Sequence, residues 1–155
     1  MTFNELIDGI ASRFSVEGLA ADGGTVSIKV DDMHVTIAEG GDAFVVTGLV
    51  CEQPSEHGET FANMLLDATT VFMDTRSVAL ARNPESEAYV LVERIPMSLD
   101  LDGFCDALRK FIDTLEDCVK AAANFGPAME SASKSLGNDE PLTPFGSFLG
   151  GFIRV

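Results

Sequence analysis

The chain has 155 residues, and its 25 acidic side chains against 10 basic ones leave a formal net charge of −15. A surface of that sign repels nucleic acid phosphates and anionic membranes, and no run of about 18 apolar residues is present to span a bilayer. The hydrophobic fraction of 46% is enough for the core of one domain, which excludes general disorder.

The acidic residues are concentrated in the first part of the chain. Residues 1–60 contain eleven acids, and their only bases are Arg13 and Lys29. Such a surface attracts a basic or polar peptide, although acidity that only maintains solubility explains the composition equally well. The N-terminus lacks the basic and apolar segments of a secretory signal, so we expect a cytoplasmic protein.

The first predicted helix covers residues 3–14. Thr2 and Glu5 have the spacing of a capping box, in which each side chain satisfies a backbone N–H at the helix start. Large apolar residues then recur at helical spacing: Phe3, Leu6, Ile7, Ile10 and Phe14. This stripe either packs on a sheet or receives an extended peptide. For the second alternative, the spacing predicts Phe3, Ile7, Ile10 and Phe14 as the peptide-binding residues.

Three strands follow the first helix. Apolar and polar residues alternate over residues 26–30 and 33–37, and residues 43–50 are rich in strand-forming types. Asp31-Asp32 and Gly40-Gly41-Asp42 are the residue types of tight turns. The pattern therefore predicts an antiparallel meander.

The second predicted helix covers residues 59–72 and has more apolar surface than one face requires. Its stripe of Phe61, Leu65, Ala68 and Phe72 is widened by Met64 and Leu66. A helix that is apolar on more than one side usually has a second burial partner. A homodimer is thus predicted, with these interface residues: Phe61, Met64, Leu65, Leu66 and Phe72.

Two further strands, from Val78 and over residues 88–95, lead into a long third helix that Asp100 or Asp102 caps. Gly126-Pro127 is predicted to end this helix, which divides the chain into a domain of residues 1–125 and a C-terminal extension of residues 126–155. Residues 126–142 resemble a linker in composition. The extension then becomes apolar at Phe145, Phe148, Leu149, Phe152 and Ile153. This end either completes the core or occupies an apolar groove in place of a binding partner.

No group of residues in the sequence meets the requirements of catalysis. A Cys51–His57 pair has no third member to orient it, and three cysteines without paired spacing predict neither a disulfide framework nor a metal knuckle. The acids at the predicted turns lack the spacing of a calcium loop, and the Gly-Gly pairs lack a phosphate-binding context. We therefore predict no catalytic residue, no metal and no cofactor, and we expect a protein that is not an enzyme.

The order of the elements, α-β-β-β-α-β-β-α, resembles that of the small acidic chaperones of type III secretion, the Tir-chaperone or CesT-like family. Residues 61–69 (FANMLLDAT) resemble the signature of that family's second helix, although Thr69 stands where the family commonly has Asn. Residues 78–85 (VALARNPE) and 89–96 (YVLVERIP) resemble its next two strands, and residues 99–115 its last helix. The similarity covers about residues 2–123.

This resemblance implies an α+β fold with one antiparallel sheet and a homodimer that uses no nucleotide. It also implies that the homodimer binds the N-terminal segment of a secreted effector and keeps it export-competent. Leu65 and Leu66 carry over as positions of the second helix in the core and the dimer. YbjN-like proteins share the fold, so a regulatory or structural dimer without export clients is the alternative.

Overall fold

The computed structural model describes residues 1–15, 19, 21–73 and 77–135, with the side chains of residues 69–73 and 126–135 left out. Its elements follow the predicted α-β-β-β-α-β-β-α order, which is confirmed. Their bounds are α1 (Phe3–Phe14), β1 (Thr25–Val30), β2 (Met33–Gly40), β3 (Ala43–Glu52), α2 (Gly58–Met73), β4 (Val78–Arg82), β5 (Ala88–Pro96) and α3 (Leu101–Ser135).

The predicted capping box starts α1. The Thr2 backbone N–H donates to Glu5 Oε2 at 2.8 Å, and the Glu5 N–H donates to Thr2 Oγ1 at 3.3 Å. Hydrogen bonding to the Glu5 carboxylate, first by the Thr2 backbone N–H and then by the Thr2 side chain, lowers the pKa of Glu5 because it favours the charged form. Helix α1 ends at Phe14, and Ser15 is its C-cap. Ser15 has a left-handed backbone conformation (φ 51°), and its N–H donates to the Ala11 carbonyl.

The five strands form one antiparallel sheet in the order β1-β2-β3-β5-β4. The first three strands are the predicted meander, joined by tight turns in which Asp31 (φ 52°) and Gly41 (φ 77°) adopt left-handed conformations. Strand β5 lies between β3 and β4, so the second hairpin is attached to the meander through its later strand.

The helices pack on one face of this sheet and enclose the core. On β3, the Phe44 ring lies 6.2 Å from Phe3 of α1 and 5.5 Å from Phe104 of α3, between ring centroids. At the other end, Phe61 of α2 lies 5.4 Å from Tyr89 of β5 and 4.9 Å from Phe125 of α3. The side chains named here are all buried, so the aromatic contacts join the three helices and the sheet in one core.

Helix α3 crosses the middle of the sheet at Gly48. A Cβ built on Gly48 would overlap the Leu115 side chain, with Leu115 Cδ1 at 2.9 Å, so glycine permits the close approach of helix and strand. Leu115 is fully buried. Helix α3 packs over β3 and β5, α2 packs on β4, and α1 contacts α3 and, through Phe3, Phe44 of β3.

The two ends of α3 settle one prediction and correct another. The Gly103 N–H donates to Asp100 Oδ1 at 2.8 Å, so Asp100 is the cap. The prediction that Gly126-Pro127 ends the helix is wrong, because α3 continues to Ser135. A proline inside a helix removes one N–H donor, and residues 128–134 (AMESASK) include the strong helix formers Ala, Met, Glu and Lys.

The first ten residues of the predicted linker at 126–142 are thus helical. The apolar segment from Phe145 to Ile153 lies outside the described residues. The division of the chain after residue 125 stays a prediction.

Candidate protein-binding surfaces

The predicted peptide-binding residues of α1 divide into a buried set and one exposed member. Phe3, Ile7 and Ile10 are 7%, 6% and 1% exposed and belong to the core of the single chain. Phe14 is 43% exposed. The α1 stripe therefore holds the helix on the sheet over most of its length, and Phe14 is the member that remains accessible to a partner.

Phe14 lies at the end of α1 that faces the start of α3. Arg13 forms an ion pair and hydrogen bond with Asp102, which raises the pKa of the Arg13 guanidinium. Four residues earlier, a Cβ on Gly9 would lie 2.6 Å from Leu101. Leu99, just before α3, is 37% exposed. Phe14 and Leu99 are thus exposed apolar side chains on the two segments that meet at this end of the helical layer, and we name them together the α1-end patch.

The predicted dimer residues of α2 divide in the same way. Phe61, Met64 and Leu65 are buried within the chain, at 1%, 8% and 2% exposure. Leu66 points away from this core and is 56% exposed, the largest value among the exposed large hydrophobic side chains of the described residues. Phe72 belongs to α2, but its side chain lies outside the described set. Leu66 is therefore the side chain of this set that a second copy could cover.

The side of the sheet away from the helices is also apolar, which the sequence analysis did not anticipate. Residues directly opposite each other on paired strands share a face of the sheet. Across β2, β3, β5 and β4, this face contains the pairs Ala38–Val45, Thr36–Thr47, Thr47–Val92, Ala79–Val92, Leu49–Val90 and Ala81–Val90. We call this surface the open sheet face and define it by these residues: Thr36, Ala38, Val45, Thr47, Leu49, Ala79, Ala81, Val90 and Val92.

The open sheet face alternates with the residues that contact the helices. Phe44, Val46 and Gly48 point to the helical layer, and Val45, Thr47 and Leu49 between them point the other way. Leu49 is 41% exposed and the central valines are half-buried. The sequence does indicate this face, because β3 and β5 are apolar at both alternating sets of positions. That pattern is typical of strands that are covered on both faces.

The edges of the sheet offer backbone groups in addition to side chains. Within residues 21–73 and 77–135, β4 pairs with β5 alone, and β1 pairs with β2 and, at Thr25, with Asp22 through an isolated bridge. The outer edge of β4 and that of β1 beyond Thr25 therefore have no strand partner. An extended peptide can pair with such an edge.

The cysteines and histidines of the described residues do not form a reaction centre. Cys105 and Cys118 are buried. Burial raises the pKa of Cys118 to about 12 and that of Cys51 to about 11, which is the opposite of the lowered pKa that a nucleophilic thiol requires. His34 of β2 is exposed. No group of three potential metal ligands occurs in this part of the chain.

These surfaces define a class of protein. A sheet layered with helices on one side, with exposed apolar side chains and two strand edges, is suited to holding another polypeptide. Among the described helices, none combines the length and apolar character that crossing a bilayer requires.

The comparisons with known proteins identify the family. The model of the Tir chaperone protein (CesT) family matches residues 5–118, and the chain belongs to this family. It is therefore a member of a chaperone family and not an enzyme. No curated protein gives a significant sequence match.

Solved structures confirm the fold. A chain of the HopA1–SchA chaperone–effector complex superposes with a TM-score of 0.60 at 14% identity, over 76% of this chain and 93% of that one. A chain of the ExsC–ExsE complex gives 0.62 at 18% identity, over 76% and 90%. A chain of the ExoU–SpcU complex from the type III secretion system of Pseudomonas aeruginosa gives 0.56 at 13%, over 74% and 94%.

Proposed function

We propose that this chain is a type III secretion chaperone that binds the N-terminal segment of a secreted effector in the cytoplasm and keeps that segment export-competent. Membership of the CesT family supports chaperone activity, and similar solved structures are chaperone–effector complexes. The observation that carries the proposal is the α1-end patch, where Phe14 remains 43% exposed while the rest of the α1 stripe is buried.

The effector segment binds by two kinds of contact. Its backbone pairs with the outer edge of β1, which supplies affinity with little dependence on sequence. Apolar side chains of the segment then pack on Phe14 and Leu99. This packing favours effector segments that have apolar residues at the matching positions. A segment held in an extended form at a strand edge cannot fold with the rest of its own chain, and this keeps it ready for export.

The charge of the chaperone assists this binding. With a net charge of −15, the chain attracts a basic or polar segment from solution and repels other copies of itself that approach without specific contact. The same acidity maintains the solubility of a protein that must expose apolar side chains.

The chaperone works as a homodimer through α2. Leu66 is exposed while Phe61 and Leu65 of the same helix are buried, and a symmetric contact would cover Leu66 in both copies. A dimer presents two α1-end patches and two β1 edges. One effector segment that spans both gains from the high effective concentration of the second site.

Native co-purification with a matched pair of variants tests the proposal. The full chain is isolated from its own cells as wild type, as Phe14→Asp and as Ser12→Asp, a control that adds the same charge at another exposed position of α1. Wild type and Ser12→Asp should retain a bound secreted protein, and Phe14→Asp should lose most of it. Recovery of only the bare chain in all three would instead favour a YbjN-like regulatory dimer. Equal retention by both variants would contradict a role for Phe14.

A further inference from the structure

We infer that residues 145–153 of this chain dock on its own open sheet face, around Leu49 and Val90. The segment lies outside the described residues, and the inference rests on the surface, on the course of α3 and on the sequence of the segment. It does not depend on effector binding.

The surface is apolar and is covered by none of the three helices in the described part of the chain. Its centre consists of four valine or leucine side chains together with threonines and alanines, and its margins carry Arg94, opposite Val45, and Glu52, opposite Ala88. Leu49 and Val90 lie directly opposite each other on β3 and β5. In a chain of net charge −15, an exposed apolar centre of this kind indicates that another element covers it.

The course of α3 brings the chain to the correct end of this face. Phe104 contacts Phe44 at the start of β3, Leu115 lies over Gly48, and Phe125 contacts Phe61, which itself contacts Tyr89 opposite Cys51. The helix therefore runs along β3 in the direction of that strand. It leaves the sheet at the end where Leu49 and Val90 lie.

The lengths involved permit the return to the sheet. From Phe125, α3 continues for ten residues to Ser135, about 15 Å at 1.5 Å per residue. Reaching the opposite side of the sheet from the helical layer requires about 20 Å, or two layer spacings. The direct distance is then about 25 Å, and residues 136–144 span up to about 30 Å when extended.

The same arithmetic excludes the α1-end patch as the place where the segment begins to dock in its own chain. From Phe104, near that patch, α3 extends 31 residues to Ser135, or about 47 Å. Residues 136–144 cover about 30 Å at most, so residue 145 cannot reach Phe14. Within one chain, the open sheet face is the nearer apolar surface.

The segment has the composition that such a face requires. Five of the nine residues 145–153 are large and apolar, and the other four are three glycines and one serine, so no charge is buried when it docks. The tether holds it at a millimolar effective concentration. This concentration exceeds that of a second copy at ordinary protein levels, which is why we assign the face to the segment.

Methyl NMR of the full-length chain tests this inference without an effector. The test variant Phe148→Asp/Leu149→Asp places two charges in the docking segment. The control Asn138→Asp/Thr143→Asp adds the same charge at polar positions that precede the docking segment. The reporters are the methyl groups of Val45, Leu49, Val90 and Val92, and the internal controls are those of Val46 and Leu91, which belong to the same strands but face the helices.

The test variant should shift the four reporter signals and leave the two internal controls unchanged, and the control variant should shift neither set. The difference should persist on dilution, since docking within one chain does not depend on concentration. Reporter signals that are identical in both variants would overturn the inference. Reporter signals that move on dilution would also overturn it, because they would assign the face to a second copy or to the segment of a neighbouring copy.

Discussion

Replacement of Leu66 by alanine tests whether α2 joins two copies of the chain. Complete burial of a leucine side chain contributes about 1.5–3 kcal/mol, and Leu66 is 56% exposed in the single chain. Covering it therefore contributes about 1–1.5 kcal/mol. In a symmetric dimer the contact occurs twice, so Leu66→Ala should weaken association by about 2 kcal/mol, or about 30-fold in the dissociation constant.

Sedimentation equilibrium over a range of concentrations measures this dissociation constant directly. Asn63→Ala is the matched control, because Asn63 is also exposed on α2 and its replacement removes little apolar area. The control should associate like wild type. The reasoning is refuted if Leu66→Ala associates as tightly as Asn63→Ala, or if wild type keeps a mass near 16.5 kDa at every concentration.

Three further predictions concern stability. Gly48→Ala should lower the free energy of unfolding by about 1–3 kcal/mol in urea titrations, because the added Cβ overlaps the fully buried Leu115. An unchanged urea midpoint would contradict the close packing of α3 on β3 at this glycine. Thr2→Ala should lower the free energy of unfolding by about 1 kcal/mol through loss of the capping box with Glu5. Thr2→Ser keeps a hydroxyl at the cap and should have the stability of wild type. Burial raises the pKa of Cys118 to about 12 from an ordinary 9.0, so the free energy of unfolding should be constant below pH 9 and fall as the pH rises towards 12. The contribution of Cys118 to this decrease is at most about 1.4 kcal/mol per pH unit, and Cys118→Ala should remove it. The same pH dependence in wild type and variant would contradict burial of the thiol.

Local patterns predicted the elements but not all of their ends. The capping box of Thr2 and the spacing of the α1 stripe are local signals, and the structure contains both as predicted. The end of α3 was missed because Gly126-Pro127 was weighed alone, without the helix-forming residues that follow. Sequence pattern also does not state which strand lies next to β3. The placement of β5 there depends on contacts between distant parts of the chain.

The binding surfaces were only partly accessible to sequence reasoning for a physical reason. An amphipathic stripe has the same spacing whether it packs on the chain's own sheet or on a partner, so spacing could not separate the buried Ile10 from the exposed Phe14. The open sheet face was not predicted because the alternation of apolar and polar residues was used to assign only one buried face to each strand. In β3 both sets are apolar, as Val46 and Val45 illustrate on opposite faces.

Limited proteolysis of the complex between this chain and its co-purified effector tests the central claim most directly. The account predicts that the chain, added in its purified form, protects a segment at the N-terminus of the effector while the remainder is cleaved as in the free effector. Protection should be weaker with Phe14→Asp than with Ser12→Asp. An effector that is cleaved identically with and without this chain, or that is protected only in its folded domain, would contradict the account.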